Sequence, residues 1–156
     1  MILYHGSPTI VSRPDVYHSR SRVDFGRGFY TTPLREQAVN WCQRFAHRGS
    51  SYLNVYELDE TAFERFSLLH FESYSEAWLD FVVDCRRDLD HSSYDIVMGG
   101  VANDRVFDTV ELFFEGLIGK QEALGRLRFE QPNSQLCIRT QAVIDECLSY
   151  LRSERQ

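Results

Sequence analysis

The chain has 156 residues and a mass of 18.3 kDa, the size of one domain built on one core. Its 43% apolar and 26% charged residues are ordinary for a globular protein, and the formal net charge of -6 argues against broad, sequence-independent binding to DNA or RNA, which depends on dense Lys and Arg. That charge still permits a nucleic acid in one local basic cleft, or a dinucleotide, whose dianion needs only a few backbone N–H groups and one or two cations.

The first element is a short buried strand, Ile2-Leu3-Tyr4, stopped by Gly6, Ser7 and Pro8. Residues 7–24 hold two of the four prolines with many Ser, Arg and Asp, which describes a long surface loop of the functional kind. After Phe25-Gly26-Arg27-Gly28-Phe29-Tyr30-Thr31, Thr32 is an N-cap candidate with Pro33 at the first helical position. Leu34, Ala38, Trp41, Cys42, Phe45 and Ala46 recur at helical spacing, so the helix is expected over 33–46 and ends at Gly49-Ser50. Tyr52–Tyr56 is a strand signal and Phe66–Phe71 a second. Ser73-Tyr74-Ser75-Glu76 has capping-box spacing ahead of a helix through Ala77, Trp78, Phe81, Val82 and Cys85.

Tyr94–Met98 reads as a buried strand broken by Gly99-Gly100. Helices follow over 105–114, closed by Gly116, and over 121–127; Leu136–Arg139 is a strand. Thr140 then caps a last helix running through Ala142, Val143, Cys147, Leu148 and Leu151. This order lacks regular β-α-β alternation, so the class is α+β in one domain over 1–156. No G-x-G-x-x-G follows a strand, which argues against a Rossmann dinucleotide site.

Cys42, Cys85, Cys137 and Cys147 are widely spaced, with no C-x-x-C pair and no His at zinc-finger spacing, and each sits among apolar neighbours. Buried free thiols in a reducing cytoplasm are expected, and no metal site. Met1–Tyr4 is too short for a signal-peptide core, and no apolar run approaches the ~18 residues that span a bilayer. A cytoplasmic protein without membrane contact is therefore expected.

Two segments invite chemistry. Tyr4-His5-Gly6 ends the first strand; His5 reads equally as a surface histidine, but Gly6 lets a ligand approach the backbone, where one N–H and one C=O match a carboxamide. In Asp24–Thr32, two glycines at spacing two are flanked by aromatics. Either they make a tight turn with Phe25 and Phe29 anchored in the core, or they leave room for a flat heterocycle against one of the rings.

Together these segments resemble ADP-ribosyltransferases of the His-Tyr-Glu class, to which diphtheria-toxin-like enzymes and poly(ADP-ribose) polymerase catalytic domains belong. Four blocks are similar to an uncharacterised bacterial, often toxin-like domain family assigned to that fold: Tyr4–Ser7; Asp24–Thr32; Tyr94–Gly99 with Ala102–Arg105; and Asn133–Cys137. They spread from residue 4 to residue 137. The resemblance implies a split β-sheet core flanked by helices and NAD as co-substrate. It implies that His5 hydrogen-bonds a ribose hydroxyl of NAD, that the Gly6 backbone grips the carboxamide and that Tyr30 stacks on the nicotinamide. Tyr4, Ser7, Phe25, Gly26, Arg27 and Gly28 complete the expected NAD-binding set.

The glutamate of the class matches Gln135 here. A carboxylate there holds a ribose hydroxyl and favours the oxocarbenium-like charge. Gln keeps the hydrogen bond but supplies neither charge nor base, a loss of about 2.7–4 kcal/mol by analogy with deleted oxyanion-hole donors. Glu130, five residues earlier, is an alternative carboxylate from the loop, and Asp24, Asp95 and Asp104 are candidates for an acceptor-side base; each also reads as solvated surface. Asn133 matches a position that touches the acceptor in related transferases, and otherwise reads as a turn residue after Pro132. Arg13, Arg20, Arg22 and Arg27 suit a pyrophosphate or a solvated loop. Asn103-Asp104-Arg105 reads as a helix N-cap.

The leading expectation is an NAD-dependent ADP-ribosyltransferase that modifies a macromolecule, protein rather than nucleic acid on charge. A bacterial toxin paired with an antitoxin protein fits it. The alternative is a non-catalytic NAD or ADP-ribose binding module, with transfer of an RNA 2′-phosphate to NAD ranked behind it.

Overall fold

The computed structural model describes residues 1–128 and 133–156. In chain order the elements are β1 (Ile2–Ser7), β2 (Phe29–Thr31), α1 (Arg35–Cys42) with a 3-10 turn over Gln43–Arg48, β3 (Tyr52–Leu58), α2 (Ala62–Arg65), β4 (Leu68–His70), α3 (Glu76–Arg86), β5 (Ile96–Gly99), α4 (Asp104–Phe114), α5 (Lys120–Leu127), β6 (Gln135–Ile138), α6 (Gln141–Cys147) and β7 (Leu148–Arg155). The chain is α+β, as expected, and its strands form two sheets.

The first sheet, ordered β1-β3-β7, is antiparallel throughout; the second, ordered β2-β6-β5-β4, is antiparallel except for the parallel β4–β5 pair. Side-chain alternation along the strands decides the layers. Leu3, Phe29, Tyr56, Ile96, Leu136 and Ile138 meet between the sheets. Val97 and Cys137, on the other face of the second sheet, pack with Phe25, Trp78, Val82, Val106 and Ala123 under α3, α4 and α5. Leu53 packs with Ala38 and Cys42 where α1 covers the first sheet. The order is helix, sheet, sheet, helices.

Several element ends depart from the sequence expectation. β1 runs on through Gly6 to Ser7, because the β3 ladder continues to the Ser7–Tyr52 pair. Thr32 does not cap α1: its backbone pairs with Tyr4, its hydroxyl accepts from the Leu34 N–H, and the helix starts at Arg35. α3 is capped by Ser75, whose side chain accepts from the Trp78 N–H, rather than by Ser73. Gly99 closes β5 in register with Gln135 instead of breaking it. The largest departure is at the C-terminal end, where the helix stops at Cys147 and Leu148–Arg155 crosses to pair with β3. The apolar spacing of Cys147, Leu148 and Leu151 suits either element, and the exposed backbone edge of β3 selects the strand.

Two glycines are required by close packing. A Cβ on Gly6 would lie 2.7 Å from the Ala38 carbonyl oxygen and 2.9 Å from Cys42 Sγ, so α1 sits directly on the β1 backbone. A Cβ on Gly28 would lie 2.5 Å from the Ile138 carbonyl oxygen.

Candidate functional site

The site is built where the two sheets part. β1 and β2 share one bridge, with the Tyr4 N–H donating to the Thr32 carbonyl (2.8 Å) and the Thr32 N–H to the Tyr4 carbonyl (2.9 Å). In an antiparallel pair alternate residues point their backbone groups to the same edge. Gly6 therefore aims its N–H and C=O at β2 as Tyr4 does, and Tyr30 aims its own at β1 as Thr32 does. A continued ladder would join Gly6 to Tyr30. Instead the imidazole of His5 enters the fork, its Nδ1 2.7 Å from the Tyr30 carbonyl oxygen. Among the described residues, nothing outside the β1–β3 ladder hydrogen-bonds to the Gly6 backbone.

The His5 ring is held by this Nδ1 contact and by packing. It shares a strand face with Leu3 and packs on Phe29, the ring centroids 4.8 Å apart. Burial lowers its pKa, against the opposing pull of the Tyr30 carbonyl, so the neutral form is favoured. A carbonyl only accepts, which places the proton on Nδ1 and leaves Nε2 as an acceptor.

Tyr30 is half-buried against the helix-side core. Its hydroxyl donates to the Gly26 carbonyl (2.7 Å) and accepts from the Phe25 N–H (2.9 Å). Burial pushes its pKa well up, so it remains a protonated donor. Phe25 and Phe29 are core residues, as the packing alternative has it, and only Tyr30 of the three aromatics stays partly open.

Gln135 begins β6 on the sheet face shared with Tyr30, since Tyr30 lies opposite Cys137, two residues on. It is buried, and its Nε2 donates to Asp24 Oδ2 (3.1 Å) and to the Gly100 carbonyl (3.2 Å). Asp24 also accepts from Arg86 (2.6 Å) and from the Ala102 N–H (3.0 Å). The loop Asp24-Phe25-Gly26 thus grips both Gln135 and Tyr30. His5 reaches this group only through the β2 backbone; no hydrogen bond joins it to Gln135 among the described residues.

Other expected residues serve the fold. The Ser7 hydroxyl donates to the Thr9 carbonyl and accepts from Asn54 Nδ2 (3.1 Å). Tyr4 packs beside Ala38 and Cys42 under α1. The Asn133 side chain accepts from the Tyr74 hydroxyl (2.9 Å) and the Val101 N–H (2.7 Å), which makes it a clamp between loops. Asn103 caps α4 through the Val106 N–H (3.1 Å). Asp95 binds Ser67 at the end of β5 opposite the Gly99–Gln135 pair. Glu130 lies outside the described residues, and Asp104 is described only as the first residue of α4.

Arg13 and Arg20 are exposed, while Arg22 and Arg27 line, with Gly26 and Arg139, a separate cavity of about 190 Å³ that does not include His5, Tyr30 or Gln135. Among the described residues no cluster of His, Cys, Asp and Glu is placed to hold a metal ion.

Two positions that matter escaped the sequence reading. Asn54 sits fully buried opposite His5, donating to the Ser7 hydroxyl and accepting from the Val11 N–H, and so holds the chain as it leaves β1. Its signal was available: an amide inside the apolar run Tyr52–Tyr56. Arg86, the partner of Asp24, gave no local signal at the end of its helix.

Residues 1–150 match the family model described as "Protein of unknown function (DUF3990)". The chain belongs to this family. The match takes in every element from β1 to the start of β7, so the fork and the Asp24–Gln135 group both lie within the DUF3990 domain. No curated protein and no solved structure matches the chain.

Proposed function

We propose that this DUF3990 domain is an NAD-dependent ADP-ribosyltransferase with the nicotinamide end of NAD at the β1–β2 fork. The observation that carries the reading is the His5 wedge: by taking the Tyr30 carbonyl, it leaves Gly6, itself buried, with a donor and an acceptor side by side on a strand edge that β2 does not pair. That pair matches a carboxamide, whose own C=O and N–H run in the opposite sense. His5 Nε2 offers an acceptor to a ribose hydroxyl, and the Tyr30 ring, held by its hydroxyl, offers an aromatic face. The two-sheet core parting at this point supports the split core of the ADP-ribosyltransferase fold.

In the reaction the bond between the ribose C1′ and the nicotinamide nitrogen breaks. The cationic ring leaves neutral with the electron pair, and an acceptor nucleophile bonds to C1′ as it gives up its proton to solvent or a base. The leaving group needs no proton from the protein. The acceptor is a macromolecule, protein rather than nucleic acid on the net charge of -6, in a cytoplasmic toxin countered by an antitoxin protein. Among the described residues no helix is long and apolar enough to cross a membrane.

One observation favours a second reading, a non-catalytic NAD or ADP-ribose binding module. Gln135 stands in place of a carboxylate, and Asp24, the carboxylate that accepts from its amide, is already bound to Arg86 and Ala102. Calorimetric NAD binding together with nicotinamide release, with and without cell lysate, separates the two. Binding with lysate-dependent release is the transferase outcome; binding without release or a labelled acceptor is the module. Unchanged NAD affinity in both His5→Ala and Tyr30→Ala would remove the fork from either reading.

A further inference from the structure

We propose that Asp24 is a positioning residue that locks the Gln135 amide as a one-way hydrogen-bond acceptor and selects glutamine over glutamate at that position. The consequence for ligand binding rests on the reading of the site as an NAD site; the selection itself does not.

The donors and acceptors around the amide permit one arrangement. Asp24 Oδ1 accepts from Arg86 (2.6 Å), and Oδ2 accepts from the Ala102 N–H (3.0 Å) and Gln135 Nε2 (3.1 Å). The second acceptor on Nε2 is the Gly100 carbonyl (3.2 Å), which also takes the indole N–H of Trp78 (3.2 Å). Both partners of Gln135 are pure acceptors, so both amide hydrogens are spent on them. A flipped amide would set Oε1 against a carboxylate and a carbonyl, so the orientation follows from the chemistry. Among the described residues Oε1 is then the one polar atom of the side chain left over, a fixed acceptor suited to a hydroxyl.

A glutamate at 135 meets the same two acceptors with nothing to donate. Its carboxylate would lie beside that of Asp24, and like charges at this distance raise the pKa of the pair. Arg86 spends its two terminal nitrogens on Asp24 and Glu111 (3.2 Å), and although its buried Nε has no partner, no atom of Arg86 hydrogen-bonds to Gln135 among the described residues. Asp24 is buried, so water screens the repulsion weakly. The chain therefore carries glutamine because its neighbour is a buried, ion-paired aspartate.

Four proteins test this: the parent, Gln135→Glu, Asp24→Asn and the double variant, followed by urea unfolding between pH 5 and pH 8. In Gln135→Glu the folded-state pKa of the new carboxyl is raised. Its stabilising protonated form is thus lost as pH rises, and the folding constant should drop at least tenfold more than in the parent. The amide introduced by Asp24→Asn can donate to a carboxylate, so the double variant should recover the parent's pH profile. In the intact parent, the Gln135 side-chain NH₂, assigned by its loss in Gln135→Leu, should exchange slowly with solvent at both hydrogens. A parent-like pH profile for Gln135→Glu, no rescue in the double variant, or fast exchange of that NH₂ would each overturn the proposal. NAD titrations on the same proteins separate the readings: rescue of the fold without NAD binding by the parent leaves the selection standing and removes the NAD site. Equal NAD affinity in parent and Asp24→Asn overturns the positioning role.

Discussion

The contact between α1 and β1 makes Gly6→Ala a sharp test of how the site is supported. The added methyl would stand 2.7 Å from the Ala38 carbonyl oxygen and 2.9 Å from Cys42 Sγ. The sulfur belongs to a side chain that can turn, whereas the oxygen is helix backbone and can yield only if α1 lifts off the strand. Overpacking of this kind costs ~1–3 kcal/mol, and for a chain of this size each kcal/mol lowers the melting temperature by ~2–4 °C. The expected loss is then about 2–12 °C, with the urea midpoint shifted and the slope unchanged. Gly125→Ala is the matched control: it lies within α5, where a Cβ meets nothing within 4 Å. Alanine there should stabilise the protein by ~0.5–1 kcal/mol. Gly6→Ala within about 0.5 kcal/mol of the parent, the range of an inconsequential substitution, would refute the close approach, and with it the explanation of Gly6 as a packing requirement.

Three further outcomes are expected. The lowered pKa of His5 means that the unfolded chain binds a proton more readily than the folded one, so stability is full above ~6.5 and falls as pH drops below that value; His5→Gln should flatten this part of a pH–stability curve measured by urea. Arg86→Met leaves the Asp24 carboxylate buried without its cation, both side chains being little exposed, and should cost ~3–5 kcal/mol in equilibrium unfolding. All four cysteines are buried, and burial pushes the Cys85 and Cys137 thiols up to about 12, so native protein at pH 8 should react with a thiol reagent far more slowly than protein in urea, where four thiols titrate.

What the sequence determined is what depends on local spacing. Mixed α+β character, the helices over α3, α4 and α5, and the strands around Leu53, Val97 and Leu136 follow from apolar periodicity and caps such as Asn103. His5, Gly6, Tyr30 and Gln135 were singled out together by their order along the chain; the fold puts His5 against the Tyr30 carbonyl and Gln135 against Asp24, with no hydrogen bond between His5 and Gln135 among the described residues. Tertiary structure decided what no window of sequence contains. Leu148–Arg155 became a strand because β3 offered a free edge, not because its own spacing demanded one. Gly6 faces α1 with its missing side chain and the fork with its backbone, two demands that only strand pairing makes visible. Gln135 is read differently once Asp24 lies 3.1 Å away, across 111 residues of chain. A side chain's hydrogen-bonding role depends on which donors and acceptors the fold brings to it, and those partners are distant in sequence.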